Sequence, residues 1–278
     1  MGNNSWVVEN LNNALATWNG KLQEIWQLLL TSPEAFRGGS IWGIIVNIHD
    51  ALKATGFALL VLFFVMGVVK TTTNFSELKR PEHAVRLFLR FAIAKAVVTY
   101  GMDLMLAVFR IAQGVVSSIA GSLGSASGML AALPAEVEAA IAQASFWESI
   151  PLWIVTLLGS LLITILSFII IMTMYGRYFS LYMYAAIAPI PLAAFAGEST
   201  AQIGVQFLKS YAGVCLQGAI IVLACVIFTA FAAAPPAVTG SGVVQMVWNY
   251  IAELVFNLLV LVGAVKLSER LCKEMMGL

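Results

Sequence analysis

Four ionisable residues sit where an apolar helix would carry them through a membrane: Lys95, Asp103, Arg110 and Glu253. An ionised side chain near the bilayer centre costs about 2.5 to 3.5 kcal/mol even on the lenient insertion scale, so such residues call for a functional explanation. Around Glu253 the spacing is regular, with Asn249, Glu253 and Asn257 at i, i+4 and i+8, on one helical face within about 80°. A carboxylate flanked by two amides is chemistry for hydrogen bonding inside an apolar helix. It serves either as glue between helices or as the lining of a wet lumen or subunit seam. Lys95, Asp103 and Arg110 fall at about 180°, 260° and 240° on a wheel that places Arg86 at zero. They form no single stripe, and Asp103 and Arg110 share a face about two turns apart. These six residues are the candidates for a polar path or subunit seam.

Signatures of catalysis are missing from the sequence. It contains no GxxxxGK[ST], HExxH, CxxC or GxSxG, and its two histidines, His49 and His83, stand near the ends of apolar runs. Cys215, Cys225 and Cys272 lack metal-ligand spacing and read as packing residues. No catalytic residue, metal site or cofactor is expected, so any energy needed must come from nucleotide hydrolysis by another subunit.

The elements that position these residues are membrane helices. Of 278 residues, 60% are hydrophobic and 10% charged, against about 25% charged in soluble domains. The bilayer must replace the missing charged shell. A net charge of +1 excludes a uniformly basic surface for nucleic acid. The opening MGNNSWVVENLNN has no basic region followed by an apolar one, so internal segments are expected to drive insertion. Apolar runs of about 20 residues occur at Ala51 to Val69, within Ala84 to Ile119, at Ile150 to Met174, at Phe207 to Ala234 and at Val243 to Val265. Tyr178 to Ala196 is also apolar, but Pro189 and Pro191 remove two backbone donors and are expected to push Ala188 and Ile190 out of helical geometry.

Charge asymmetry decides the topology, because short cytoplasmic loops collect Lys and Arg. Lys70, Lys79, Arg80, Arg86 and Arg90 mark one side as cytoplasmic; Arg177, Lys266, Arg270 and Lys273 do the same later. Gly121 to Ser149 holds no Lys or Arg but has Glu136, Glu138 and Glu148, which suits the outside. All signals agree if the N-terminus is external, five helices span, and the proline segment is re-entrant, hinged at Pro189 and Pro191. Broken backbone at membrane depth must be buried in protein or line a cavity. Lys79, Arg80, Arg86, Arg90 and Arg177 are expected to meet anionic membrane phospholipids or a cytoplasmic partner.

The fold class is therefore all-α and polytopic, in four parts. Residues 1–48, with Trp6, Trp18, Trp26 and Trp42, form an external interfacial amphipathic region. Residues 49–119 hold the first two spans and a basic loop, and residues 120–149 an external loop with a short helix opened by Pro134. Residues 150–278 form the membrane core, with the re-entrant segment at 178–196 and a cytoplasmic C-terminus. Thr156, Ser160, Thr164 and Ser167, beside Gly159, make a small-residue stripe for helix packing. No internal repeat of the kind found in many secondary transporters is present.

The stretch YGRYFSLYMYAAIAPIPLAAFAGE, continued by FLKSYAGVCLQGAIIVLACVIF, resembles the TrbL-like polytopic membrane subunits of conjugal transfer, or type IV secretion, systems. The likeness is strongest from about Tyr175 to Phe228. It rests on Arg177, on Pro189, Pro191, Ala193 and Ala194, and on Phe207, Leu208, Lys209, Leu216 and Gln217. The resemblance implies a cytoplasmic-membrane channel or channel-scaffold subunit, homo-oligomeric, working with other secretion subunits including traffic ATPases. Its cargo would be single-stranded DNA or a relaxase substrate, met transiently on a translocation path. A small-solute or ion transporter is the alternative, motivated by the intramembrane charges and the broken helix.

Overall fold

A computed structural model describes residues 5–72, 81–121, 131–231 and 242–278. Among the described residues, helix is the only regular structure. The order is α1 (Ser5–Leu30), α2 (Ser40–Thr72), α3 (Pro81–Thr99), α4 (Gly101–Gly121), α5 (Ala135–Gln143), α6 (Phe146–Ile187), α7 (Pro189–Leu192), α8 (Ala201–Phe231) and α9 (Val243–Met276). Short 3-10 turns occupy Phe36–Gly39 and Ala193–Ala196. Five segments are long and apolar enough to cross a membrane: Phe36–Lys70, Gly101–Gly121, Trp147–Ile187, Ala201–Phe231 and Val243–Met276. The protein is all-α and polytopic, as composition and run length indicate.

Three boundaries differ from the sequence reading. The first membrane-grade helix begins well before Ala51, because Ile41 to Val46 extend its apolar run. The run from Ala84 to Ile119 is two helices that part at Tyr100, where a glycine follows and helical propensity falls by about 1 kcal/mol. The third helix does not stop near Met174 but continues to Ile187, absorbing half of the expected proline segment.

Contacts along the chain divide it into two compact units. One comprises Met1–Leu30, Ser117–Gly176 and Ala219–Ser268; the other comprises Thr31–Val116, Arg177–Gly218 and Glu269–Leu278. In the first, α1 buries Val7, Leu11, Leu15, Trp18, Leu22, Ile25 and Leu29, the three- and four-residue spacing of one helical face. Trp18 is wholly enclosed, its indole nitrogen buried with no hydrogen-bond partner among the described residues, rather than lodged at an interface. Trp6 meets Trp153 edge-on at 6.5 Å. The stripe on α6 is a packing face: Thr156 and Ser167 are fully buried and donate back to the Leu152 and Ile163 carbonyls, while Ile251 of α9 lies over Gly159.

Side-chain hydrogen bonds tie the loop before α5 into this unit. Asn19 Nδ2 donates to the Ala131 carbonyl at 2.8 Å, and the Ala131 amide donates back to Asn19 Oδ1 at 2.9 Å. Tyr250 donates to the Ala132 carbonyl at 3.2 Å, and Tyr175 to Glu24 at 2.7 Å. Leaving a partly buried pair without its partner costs about 1–3 kcal/mol. Asn19→Ala is therefore expected to lower the unfolding temperature of the detergent-solubilised protein, and Asn19→Asp, which keeps only the acceptor, to lower it less. Unfolding at the wild-type temperature in Asn19→Ala would show that the clasp does not hold the loop.

Candidate functional site

The site is built in the second unit, around the proline turn that sequence reasoning singled out. Helices α2 and α3 pack against α7 and the following 3-10 turn. Ala188, Leu192, Ala193, Ala194 and Ala196 are all buried there. Irregular backbone is thus enclosed by protein, as its unpaired groups require.

The prolines do not break the path of the chain. Ala188 keeps helical dihedrals, φ −49° and ψ −39°, and the Leu192 amide donates to the Ala188 carbonyl at 3.1 Å. The bias against helix before proline is a tendency, and here packing on both sides overrides it. The direction changes instead at Gly197, whose backbone is extended at φ −102° and ψ 142°. Thr200 Oγ1 secures that bend by donating to the Ala194 carbonyl at 2.8 Å. Pro189 and Pro191 therefore act through the donors they lack rather than as a hinge.

In a continuous helix the amide of residue 189 would serve the Ala185 carbonyl. Pro189 has none, and His49 of α2 fills the gap: its Nδ1 lies 2.7 Å from that oxygen. A carbonyl only accepts, so Nδ1 carries the proton, and the Nε2 of a neutral ring becomes an acceptor. His49 is fully buried, and Nε2 has no hydrogen-bond partner among the described residues. The histidine reaches its place because α2 approaches the turn closely at Gly56, where a Cβ would stand 2.8 Å from the Pro189 carbonyl oxygen.

Arg177 makes a second contact of the same kind. It is 3% exposed, so its guanidinium is not offered to headgroups in this chain. Its Nε donates to the Val214 carbonyl at 3.2 Å and its Nη2 to the Cys215 carbonyl at 3.1 Å, while Nη1 is buried with no hydrogen-bond partner among the described residues. None of the ion pairs among the described residues involves it. The Phe109 ring lies 6.0 Å away, within cation–π range. Only a residue without a side chain fits at Gly218, where a Cβ would be 2.7 Å from Nη2. Nearby, Tyr211 donates to the Met105 carbonyl at 3.0 Å, Tyr178 to that of Thr31 at 2.8 Å and Tyr182 to that of Pro33 at 3.0 Å.

The other sequence candidates lie elsewhere. Lys95, Asp103 and Arg110 are exposed, and Arg110 faces Glu34 at 3.8 Å rather than Asp103. Arg86 is exposed, while Arg90 lies 3.5 Å from Glu198, beside the bend at Gly197. In the first unit Asn249 and Asn257 are half-buried and Glu253 exposed, flanking the buried face of Tyr250, Leu254, Leu258 and Leu261. Lys79 and Arg80 lie outside the described residues. Sequence reasoning did not single out His49 as a site residue; its available signal was a histidine inside an apolar run in a chain whose proline segment lacks backbone donors at Pro189 and Pro191.

The fold, with five helices long and apolar enough to cross a membrane, defines a multi-pass helical membrane protein. Compared with known families, residues 18–189 match the one described as TrbL/VirB6 plasmid conjugal transfer like protein. That is more than half of the chain, and the protein belongs to this family. The match ends at Pro189, so of the stretch that carried the resemblance only its first part lies inside it; the FLK and LQ positions lie beyond. Neither the curated proteins nor the solved structures compared gave a match.

The two buried donors predict opposite outcomes. His49→Phe leaves the Ala185 carbonyl orphaned and is expected to cost about 1–3 kcal/mol of stability. Pro189→Ala restores a backbone donor, so the double variant should recover much of that loss, a coupling of about 0.5–3 kcal/mol. Arg177→Met removes donors from carbonyls that keep their own partners inside α8, so stability should stay level or rise. Additive effects at His49 and Pro189 in denaturant titrations would refute the shared role.

Proposed function

We propose that this protein is a membrane channel or channel-scaffold subunit of a conjugative type IV secretion machine, seated in the cytoplasmic membrane. The observation that carries the reading is the family match over residues 18–189, which takes in three of the five membrane-grade helices (Phe36–Lys70, Gly101–Gly121 and Trp147–Ile187) and ends at Pro189. Its N-terminus and the 120–149 connection lie outside the cell and its basic segments inside, following the Lys and Arg asymmetry. The subunit homo-oligomerises and works beside other secretion subunits, with traffic ATPases supplying the energy. It assists the passage of single-stranded DNA or a relaxase substrate and performs no reaction of its own. The polar groups at Asn249, Glu253, Asn257, Lys95, Asp103 and Arg110 line the translocation path or the seams between subunits, and the arginines near the membrane ends meet anionic phospholipids.

Deleting the gene is expected to abolish plasmid transfer in mating assays while leaving plasmid replication intact, with the full-length protein restoring transfer from a second locus. Reporter fusions after Lys70 and after Met276 should score as cytoplasmic, and fusions within residues 131–145 as external. Undiminished transfer from the deletion strain would overturn the reading, as would solute flux by purified protein in liposomes together with normal mating.

A further inference from the structure

Arg177 carries a charge that no residue around it balances. A guanidinium cannot shed its charge by losing a proton in a protein, and this one is buried. None of the ion pairs among the described residues reaches it. The ionisable groups that act on it are Tyr178, Tyr211, Cys215 and Cys272, phenols and thiols, which carry no charge in neutral water. The Val214 and Cys215 carbonyls give it hydrogen bonds but no counter-charge. A buried ion left without an opposite charge is strongly unfavourable.

The open position is Nη1, which is buried with no hydrogen-bond partner among the described residues, while Nε and Nη2 are turned to carbonyls. What completes it must accept, because a guanidinium nitrogen only donates. A water molecule would accept and leave the charge uncompensated. The partner must also carry a single negative charge, since sulfate or phosphate would leave an excess of charge in the same closed shell. A carboxylate grips a guanidinium best through two nitrogens, and here one is open. A lipid phosphate does not reach a group enclosed by Phe109, Tyr178, Tyr211 and Cys215, each itself buried. These demands together describe a small monovalent inorganic anion.

We propose that Arg177 binds a halide, chloride in the first place, at Nη1. The ion neutralises the guanidinium at the point where α6 meets α8, beside the notch at Gly218, and makes that contact depend on halide. The site is structural, and it stands apart from the secretion reading, which can fail without touching it.

The test uses the full-length protein purified in detergent and exchanged into sodium gluconate, with sodium chloride, bromide or sulfate added at fixed ionic strength. Chloride is expected to raise the unfolding temperature by about 2–5 °C for each tenfold increase beyond half-saturation, as for a ligand that only the folded chain binds. Bromide should act alike, and sulfate should not. In equilibrium dialysis, radiolabelled chloride should be held at a single ion per chain. Arg177→Met should show neither the rise nor the held ion, whatever its own unfolding temperature. Dialysis of the unaltered chain does not require the variant to fold. No chloride held by the wild-type chain, with water alone filling the position, would overturn the site. Equal responses of wild type and Arg177→Met would do the same, as would equal responses to sulfate and chloride, which mark screening rather than binding.

Discussion

The second unit depends on a single missing proton. Pro189 deprives the Ala185 carbonyl of its helical donor inside an enclosed, apolar setting, where an unpaired carbonyl is expensive. His49 supplies the donor from another helix at 2.7 Å. That bond and the close approach of α2 at Gly56 select the same face of α2 for the turn. Gly56 must lack a side chain so that α2 can come close enough, and at Gly101 a Cβ would stand 3.3 Å from the imidazole ring. The prolines thus join elements distant in sequence, converting a local deficit into a tertiary constraint.

Arg177 shows the same logic with a different energetic sign. His49 satisfies a group that would otherwise be orphaned, whereas Arg177 adds donors to the Val214 and Cys215 carbonyls within the uninterrupted helix α8. Its burial without an acidic neighbour gives no clear gain in stability over an apolar side chain. What it gives is selectivity, because the guanidinium fits α8 only where Gly218 leaves room. A glycine and an arginine separated by some forty residues therefore mark one register of α6 against α8.

Much of the architecture was legible in the sequence, for a physical reason. Run length and the scarcity of charge are properties of the solvent a segment requires, so they identify membrane helices without knowledge of their neighbours. The acidic first turn after Pro134 likewise reports α5 locally. Long-range compensation left no such trace. A rule about prolines reads two of them as a break, yet Ala188 stays helical in its packed surroundings, and His49, more than a hundred residues away, supplies the donor that Pro189 lacks. The snorkelling rule puts Arg177 at headgroups, yet the notch at Gly218 draws it inward. Trp18 was assigned to an interface on its indole ring, while its position on the buried stripe of α1 decided otherwise. The polar triad around Glu253 was visible as a pattern, but a pattern on one helix does not state which neighbour it meets.

These compensations belong to a general difficulty of building in a bilayer. Lipid tails are as apolar as leucine, so burying apolar area does not by itself choose one helix partner over another. Directional contacts and steric notches must make the choice. In the second unit they take one recurring form, a side-chain donor from one element aimed at a main-chain carbonyl of another: His49 to Ala185, Arg177 to Val214 and Cys215, Tyr211 to Met105, Tyr178 to Thr31 and Tyr182 to Pro33. Carbonyls hold two lone pairs, so helices can accept such bonds without giving up their own. Those bonds need no opposite charge on the receiving helix, so the choice of helix partner in this unit calls for no ionised pair in its interior.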